Sequence, residues 1–194
     1  AFKGCGPIEL LHFADNAQLT TIGAESFSDC VALKSLSIPA SVVTIGDSAF
    51  KGDTAIETLT FADNAKLTTI GKESFSGCVA LKSLSIPASV VTIGDCAFKG
   101  AAAIETLTFA DNAKLNIVGK ESFSGCKKIK YVEIPNSVAR ISHSAFHGCE
   151  SLVNAIIGKG LSRIDSKVFN GCKNLSIVYV NATTPPRIGS QVFD

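Results

Sequence analysis

The sequence contains no tryptophan and no methionine, and only two tyrosines and three histidines in 194 residues. So few histidines leave little general-base chemistry, and there is no G-x-S-x-G, no H-E-x-x-H and no phosphate-cradling glycine loop. Catalysis is therefore not expected, and neither is a cofactor. Charge of either sign is not in surplus, since 18 Lys and Arg stand against 17 Asp and Glu for a net +1. Binding to phosphate backbones needs clustered cations, and the densest run is Lys127, Lys128 and Lys130, so no nucleic-acid partner is expected. Long apolar runs are also missing, because Gly, Ser, Asp or Lys interrupts every stretch well short of the ~20 residues that span a bilayer, which argues against membrane insertion. The chain opens at "AFKGCG", in mid-motif and without Met, and is read as a fragment of a longer array or a mature portion, any targeting segment being outside it.

What the sequence has is phenylalanine at a fixed period. Phe2, Phe27, Phe50, Phe75, Phe98, Phe123, Phe146, Phe169 and Phe193 follow one another at intervals of 25, 23, 25, 23, 25, 23, 23 and 24 residues. A period in that range marks a stacked repeat array. The stretch "IETLTFADNAKL" occurs at 56–67 and again at 104–115, 48 residues apart, because the copied unit is a pair of repeats, one long and one short. Segments 27–50 and 75–98 differ only at Asp29 against Gly77 and Ser48 against Cys96.

Each repeat has a readable logic. In "FSGCVALKSLSIPASVVTIGDCAF" the stretch "LKSLSI" places Leu81, Leu84 and Ile86 on one face and Ser83 and Ser85 on the other, the alternation of a half-buried strand. Pro39, Pro87 and Pro135 end that strand. "SVVTIG" supplies a second short apolar stretch, and the glycines at 46, 71, 94 and 119 precede a turn expected to hold an Asp cap and a single helical or 3₁₀ turn. Long repeats replace the seven residues 38–44 with the nine of "FADNAKLTT" at 61–69, where Asp63 and Asn64 provide turn chemistry. One repeat cannot close a core, whereas about three or more stacked repeats can. The residue after the first Leu or Ile of each strand alternates in sign at successive repeats, Glu9, Lys34, Glu57, Lys82, Glu105 and Lys130, which reads as a register device between strands ~4.8 Å apart.

The pattern L-x-x-L-x-I-P-x-S-V-x-x-I-G-x-x-A-F-x-G-C, carried by "LKSLSIPASVVTIGDSAFKG", "VEIPNSVARISHSAFHGC" and, with a Thr-Thr-Pro-Pro insertion, "KVFNGCKNLSIVYVNATTPPRIGSQVF", resembles the BspA-type leucine-rich repeat. The resemblance covers almost the whole chain. It implies an α/β repeat solenoid, a right-handed leucine-rich-repeat array of about eight units over residues 1–194, with a parallel short-strand sheet on one face and turns or short helical segments on the other. It also implies extracellular or cell-surface display and, for some members, adhesion to host matrix proteins or other microbes. It brings no catalytic motif.

Seven cysteines raise the question of bridges or metal. No C-x-x-C occurs, and six of the seven fall in one repeat column that reads Cys5, Cys30, Asp53, Cys78, Ala101, Cys126, Cys149, Cys172, so they are expected as buried free thiols. Cys96, in a column held elsewhere by Ser48 and Ser144, is the candidate for a reactive or intermolecular thiol. His143 and His147 have the i, i+4 spacing of metal ligands, but their columns hold Asp47, Asp95 and Lys120, and Lys51, Lys99 and Ser124, so no metal site is expected.

The outward strand positions remain as binding candidates. Ser35, Ser37, Thr58, Thr60, Ser83, Ser85, Thr106 and Thr108 form a ladder of hydroxyls suited to a solvated sheet face. Near the C-terminal end the same columns change to Tyr131 and Glu133, then Asn154 and Ile156, then Ile177 and Tyr179. Both tyrosines of the chain thus fall in one strip, two strands or roughly 10 Å apart. Tyr is enriched at binding hot spots because it buries much area and keeps a polar tip. The strip is the expected site for a protein or glycan partner; divergence of the last repeats into a cap is the competing account. For the array as a whole, the alternative to adhesion is a structural spacer.

Overall fold

The computed structural model describes residues 2–14 and 16–193; residues 1 and 194, the bounds of the expected domain, lie outside the described residues. Among the described residues sixteen short strands alternate between two sides of a coil. The front side carries β1 (Leu10–Leu11), β3 (Ser35–Ile38), β5 (Thr58–Phe61), β7 (Ser83–Ile86), β9 (Thr106–Phe109), β11 (Tyr131–Ile134), β13 (Asn154–Ile157) and β15 (Ile177–Val180). The second side carries β2 (Thr21–Ile22), β4 (Thr44–Ile45), β6 (Thr69–Ile70), β8 (Thr92–Ile93), β10 (Ile117–Val118), β12 (Arg140–Ile141), β14 (Arg163–Ile164) and β16 (Arg187–Ile188). The second side is one continuous parallel sheet from β2 to β16, whereas the front divides into β1-β3-β5-β7-β9 and β11-β13-β15. This is a parallel-strand β-solenoid of about eight turns, each turn being one rung.

The alternation read from "SLSI" is what folds the front. In β3 and β7 the serines face solvent while Leu36, Ile38, Leu84 and Ile86 are each about 1% exposed. Behind the strands the phenylalanines form a single file of stacked rings from Phe2 to Phe193, with successive centroids 5.2 to 5.8 Å apart. Rung spacing fixes that distance, and each offset-stacked pair contributes roughly 0.5–1.5 kcal/mol beyond the area it buries.

The third side corrects the sequence reading. No helix forms among the described residues, so the architecture is all-β rather than α/β. Every second N–H of the turn side leaves its own rung: Glu25, Phe27 and Asp29 donate to the carbonyls of Asp47, Ala49 and Lys51, and Ser48, Phe50 and Gly52 to those of Lys72, Ser74 and Ser76. The residues between them close four-residue turns, as Ser26 does on Gly23. A helix needs those same N–H groups directed along its own axis, and a positive φ at Glu25, Ser48, Glu73, Cys96, Glu121, Ser144 and Lys167 breaks the helical run in each rung. The expected Asp caps are not caps either. Asp47 and Asp95 accept from the backbone N–H of Lys72 and Lys120, each on the following rung, at 2.8 Å. Glycine is needed at the corner before them because the previous rung is so near: a Cβ on Gly94 would stand 2.6 Å from the Lys72 nitrogen.

The charged column on the front pairs two by two. Lys34 reaches Glu9 at 3.0 Å and Lys82 reaches Glu57 at 2.5 Å, while Glu105 is met by Lys128 at 3.2 Å in place of the column lysine. A second column, unforeseen in the sequence, runs along the turn side, where Lys3, Lys51 and Lys99 each bind the acid of the next rung, Glu25, Glu73 and Glu121. Most of these pairs are exposed and screened by solvent, so they set register more than they add stability.

Candidate functional site

The front face is not evenly laddered, and prolines explain why. After a short-rung strand the next N–H comes from the long rung, so Ala62 donates to Ile38 and Ala110 to Ile86, both at 3.0 Å. After a long-rung strand the equivalent residue is Pro87 or Pro135, which has no N–H to offer Phe61 or Phe109. Pairing follows suit. β3 with β5 and β7 with β9 match over four residues, β5 with β7 only through Thr58 and Ser83, and β9 with β11 not at all.

A cleft opens at each of these loosened junctions. The first, about 650 Å³, has Thr60, Ser83, Ser85, Thr106 and Thr108 on its floor and the turn Ala62–Ala65 with Pro87 at its side. The second, about 380 Å³, is the same structure 48 residues on, with Tyr131 in place of Ser83, Glu133 for Ser85 and Ile156 for Thr108; the turn Ala110–Ala113, Pro135, Asn136 and Asn181 complete it. Asn64 and Asn112 sit at the two turns with φ of 57° and 56°, a conformation that Asn tolerates.

The structure thus brings together only part of the expected site. Thr60, Ser83, Ser85, Thr106 and Thr108 share the first cleft, and Thr108, Tyr131, Glu133 and Ile156 share the second. Ser35, Ser37 and Thr58 are exposed on the same face outside both. Asn154, Ile177 and Tyr179 lie beside the second cleft, where the register aligns Tyr131 with Asn154 and Ile177, and Glu133 with Ile156 and Tyr179. The prolines and the Asp-Asn turns that wall the clefts were legible in the sequence as strand and turn signals but not as site residues.

Tyr131 and Tyr179 are 42% and 54% exposed, together with Ile177 at 42%, so an apolar strip stands open on an otherwise hydroxyl-covered face. The Tyr131 hydroxyl donates to Glu133 Oε2 at 3.0 Å. Partial burial and that bond hold the phenol above its ordinary pKa, so the ring presents a neutral donor already oriented by a carboxylate. Between the tyrosines, Asn154 Oδ1 is buried without a hydrogen-bond partner among the described residues.

The remaining chemistry-bearing residues are structural. All seven thiols are unbridged. Column cysteines point S–H at the carbonyl of the phenylalanine one rung earlier, Cys78 to Phe50 and Cys126 to Phe98 at 3.4 Å. Burial pushes the Cys126 thiol up to about 12. Cys96 is half-buried, and burial followed by the Glu121 carboxylate raises its pKa, which suppresses the thiolate that reactivity requires. No group of three or more metal-ligating side chains forms among the described residues. Nor is any helix there long and apolar enough to cross a membrane.

Comparison with known proteins agrees with this geometry. A family model described as the BspA type leucine rich repeat region matches residues 1–116 and 104–194, with six copies. No curated protein matches the sequence. Among solved structures, a leucine-rich repeat protein of T. pallidum is 24% identical with a TM-score of 0.73, over 80% of this chain and 72% of that one. One from Bacteroides ovatus is 26% identical with a TM-score of 0.70, over 100% of this chain and 60% of that one. A leucine rich cell surface protein of Faecalibacterium prausnitzii is 21% identical with a TM-score of 0.54, over 85% and 58%. The chain therefore spans less than two thirds of the last two.

Proposed function

We propose, for a chain that belongs to the BspA-type leucine-rich repeat family, a role as a non-catalytic binding module, displayed outside the cell or at its surface, that adheres to a protein or glycan on host matrix or neighbouring cells. The front face is its contact surface, and the second cleft with the adjoining strip is its centre. One observation carries the reading. Where the cleft is repeated, Ser83 gives way to Tyr131, Ser85 to Glu133 and Thr108 to Ile156, which exchanges three hydroxyls for an aromatic ring, a carboxylate that holds its phenol, and an aliphatic side chain. Exposed aromatic side chains of this kind supply large buried area at low entropic cost when a partner docks. Display at a surface is supported by the cell-surface description of the Faecalibacterium protein.

A spacer role is the second reading, favoured by the near identity of segments 27–50 and 75–98, since copying rungs adds length and leaves any site unchanged. Biolayer interferometry against matrix and plasma proteins and surface glycans separates the two. Saturable binding that falls at least tenfold in Y131S/Y179S supports adhesion at this site. Binding untouched by that double substitution rejects the site, and a folded chain that binds nothing favours the spacer.

A further inference from the structure

The second side changes character over its last three rungs. Its outward column reads Thr21, Thr44, Thr69, Thr92 and Ile117, and then Arg140, Arg163 and Arg187, the arginines in register on β12, β14 and β16. At the corner beyond them Asp165 takes a position held by glycine at 23, 46, 71, 94, 119 and 189. Its carboxylate, 9% exposed, accepts from Arg140 Nε at 3.0 Å and Nη2 at 2.6 Å and from Arg163 Nε at 2.5 Å. Burial alone would raise its pKa, but the two guanidiniums outweigh burial and hold it below the ordinary carboxylate range, so it is fully charged.

One carboxylate cannot balance three guanidiniums. Arg187 has no ion-pair partner among the described residues, and the terminal nitrogens of Arg163 are free of Asp165. Like charges on adjacent strands, about 4.8 Å apart, repel. The charged columns of the front and turn sides alternate cations with acids of the neighbouring rung, whereas here three cations stand in register over a single acid, an arrangement open to an external anion. Beside it lies a cleft of about 390 Å³ lined by His143, Arg163, Asp165, Ser166, Arg187 and Gly189. Ser166 and Ser190 stand at its edge, their hydroxyls 3.1 Å apart.

We propose that this arginine strip binds an acidic polysaccharide, its sulfate or carboxylate groups on Arg163 and Arg187 and its sugar hydroxyls on Ser166 and Ser190. Planar guanidinium forks match both kinds of oxyanion. A chain is preferred to a single ion because the cations are spread one per rung along the axis. A sugar chain fits the mixture of cations and hydroxyls because it carries neutral hydroxyls beside its acid groups. The strip lies on a different side from the tyrosines, so the two sites are independent.

Surface plasmon resonance with immobilised heparin, polygalacturonate and neutral dextran tests the proposal. The protein is expected to bind at least one of the acidic chains and not dextran, with affinity that falls as salt rises. R187S should weaken it several-fold and R187E more, whereas K34S/K82S on the front face and Y131S/Y179S should leave it unchanged. Arg187 is exposed and outside the Asp165 cluster, so its variants keep that cluster intact. Equal retention of R187E, equal binding to dextran or no binding to either acidic chain overturns the proposal. Competition by free sulfate at the same molar concentration would reduce it to a small-anion site, and a phosphopeptide or DNA duplex that outcompetes both chains would replace the polysaccharide; either result also overturns it.

Discussion

Asp53 is the one carboxylate in the cysteine column, and its cost should be measurable as a pH dependence. It is fully buried, with Oδ1 accepting from the Cys30 N–H at 2.8 Å and Oδ2 without a partner. Burial, reinforced by the nearby Asp29 charge, raises its pKa from an ordinary 3.8 to about 7. The folded state therefore keeps a proton that the unfolded chain releases. Stability is undiminished below the unfolded pKa, falls as pH rises through the interval up to the folded value, and levels off above it. At about 1.36 kcal/mol per pKa unit, the loss across the whole interval is about 4 kcal/mol, with roughly 2–3 kcal/mol of it between pH 5 and pH 8. D53A copies the rung that carries Ala101. It forfeits the bond to Cys30, a cost that is independent of pH, and removes the titration. Urea unfolding followed by circular dichroism, with amide exchange at residues 30 and 78 to localise the effect to neighbouring rungs, should show wild type losing stability relative to D53A as pH rises from 5 to 8. A difference between the two proteins that stays constant within about 0.5 kcal/mol over that range refutes the reasoning.

P87A should supply the N–H that Phe61 lacks, extending the β5–β7 pairing and narrowing the first cleft. The new hydrogen bond, about 0.5–1.5 kcal/mol, is offset by the lost rigidity of proline, about 0.4–1 kcal/mol, so stability should change little. Hydrogen exchange of the new amide at position 87 is the check, and exchange at the unprotected rate would show that proline is not what holds the junction open. Thiol titration with Ellman's reagent near pH 8 should find Cys5 reactive in the native protein, Cys96 slower than Cys5 because its thiolate is suppressed, and the five buried column cysteines reactive only on unfolding. Uniform reaction of all seven would contradict the buried column.

The stack was legible in the sequence because its determinants are local and repeated. Phe at 23 to 25 residues, Leu-x-Ile alternation and Pro after the strand each state a face or an ending, and in combination they describe a rung. The turn side was misread because "DSAFKG" has the composition of a capped helical turn, while its N–H groups are claimed by the next rung, a contact some 24 residues distant. The arginine column escaped notice for the same reason: Arg140, Arg163 and Arg187 never form a run, and only the register brings them side by side. The clefts needed two facts together, a proline in the short rung and a carbonyl in the long one, which become neighbours only after stacking. The tyrosine strip was visible because it interrupts a column, and breaks in a repeat are readable wherever the repeat is strict.

The turn side has an electrical consequence. Its inter-rung bonds all run one way, from an N–H on one rung to a carbonyl on the next, as Glu25 to Asp47 and then Ser48 to Lys72. In the strands, successive peptide groups point in opposite directions and cancel. Here three peptide units per rung point the same way, and their dipoles add along the axis as they do in an α-helix. The turn side is thus a polar row, with its positive direction toward higher residue numbers. At the strand ends of the second side the bonds run the other way, as Arg163 to Ala139 and Arg187 to Ser162, so the two sides oppose one another and the polarity stays local to the turn side.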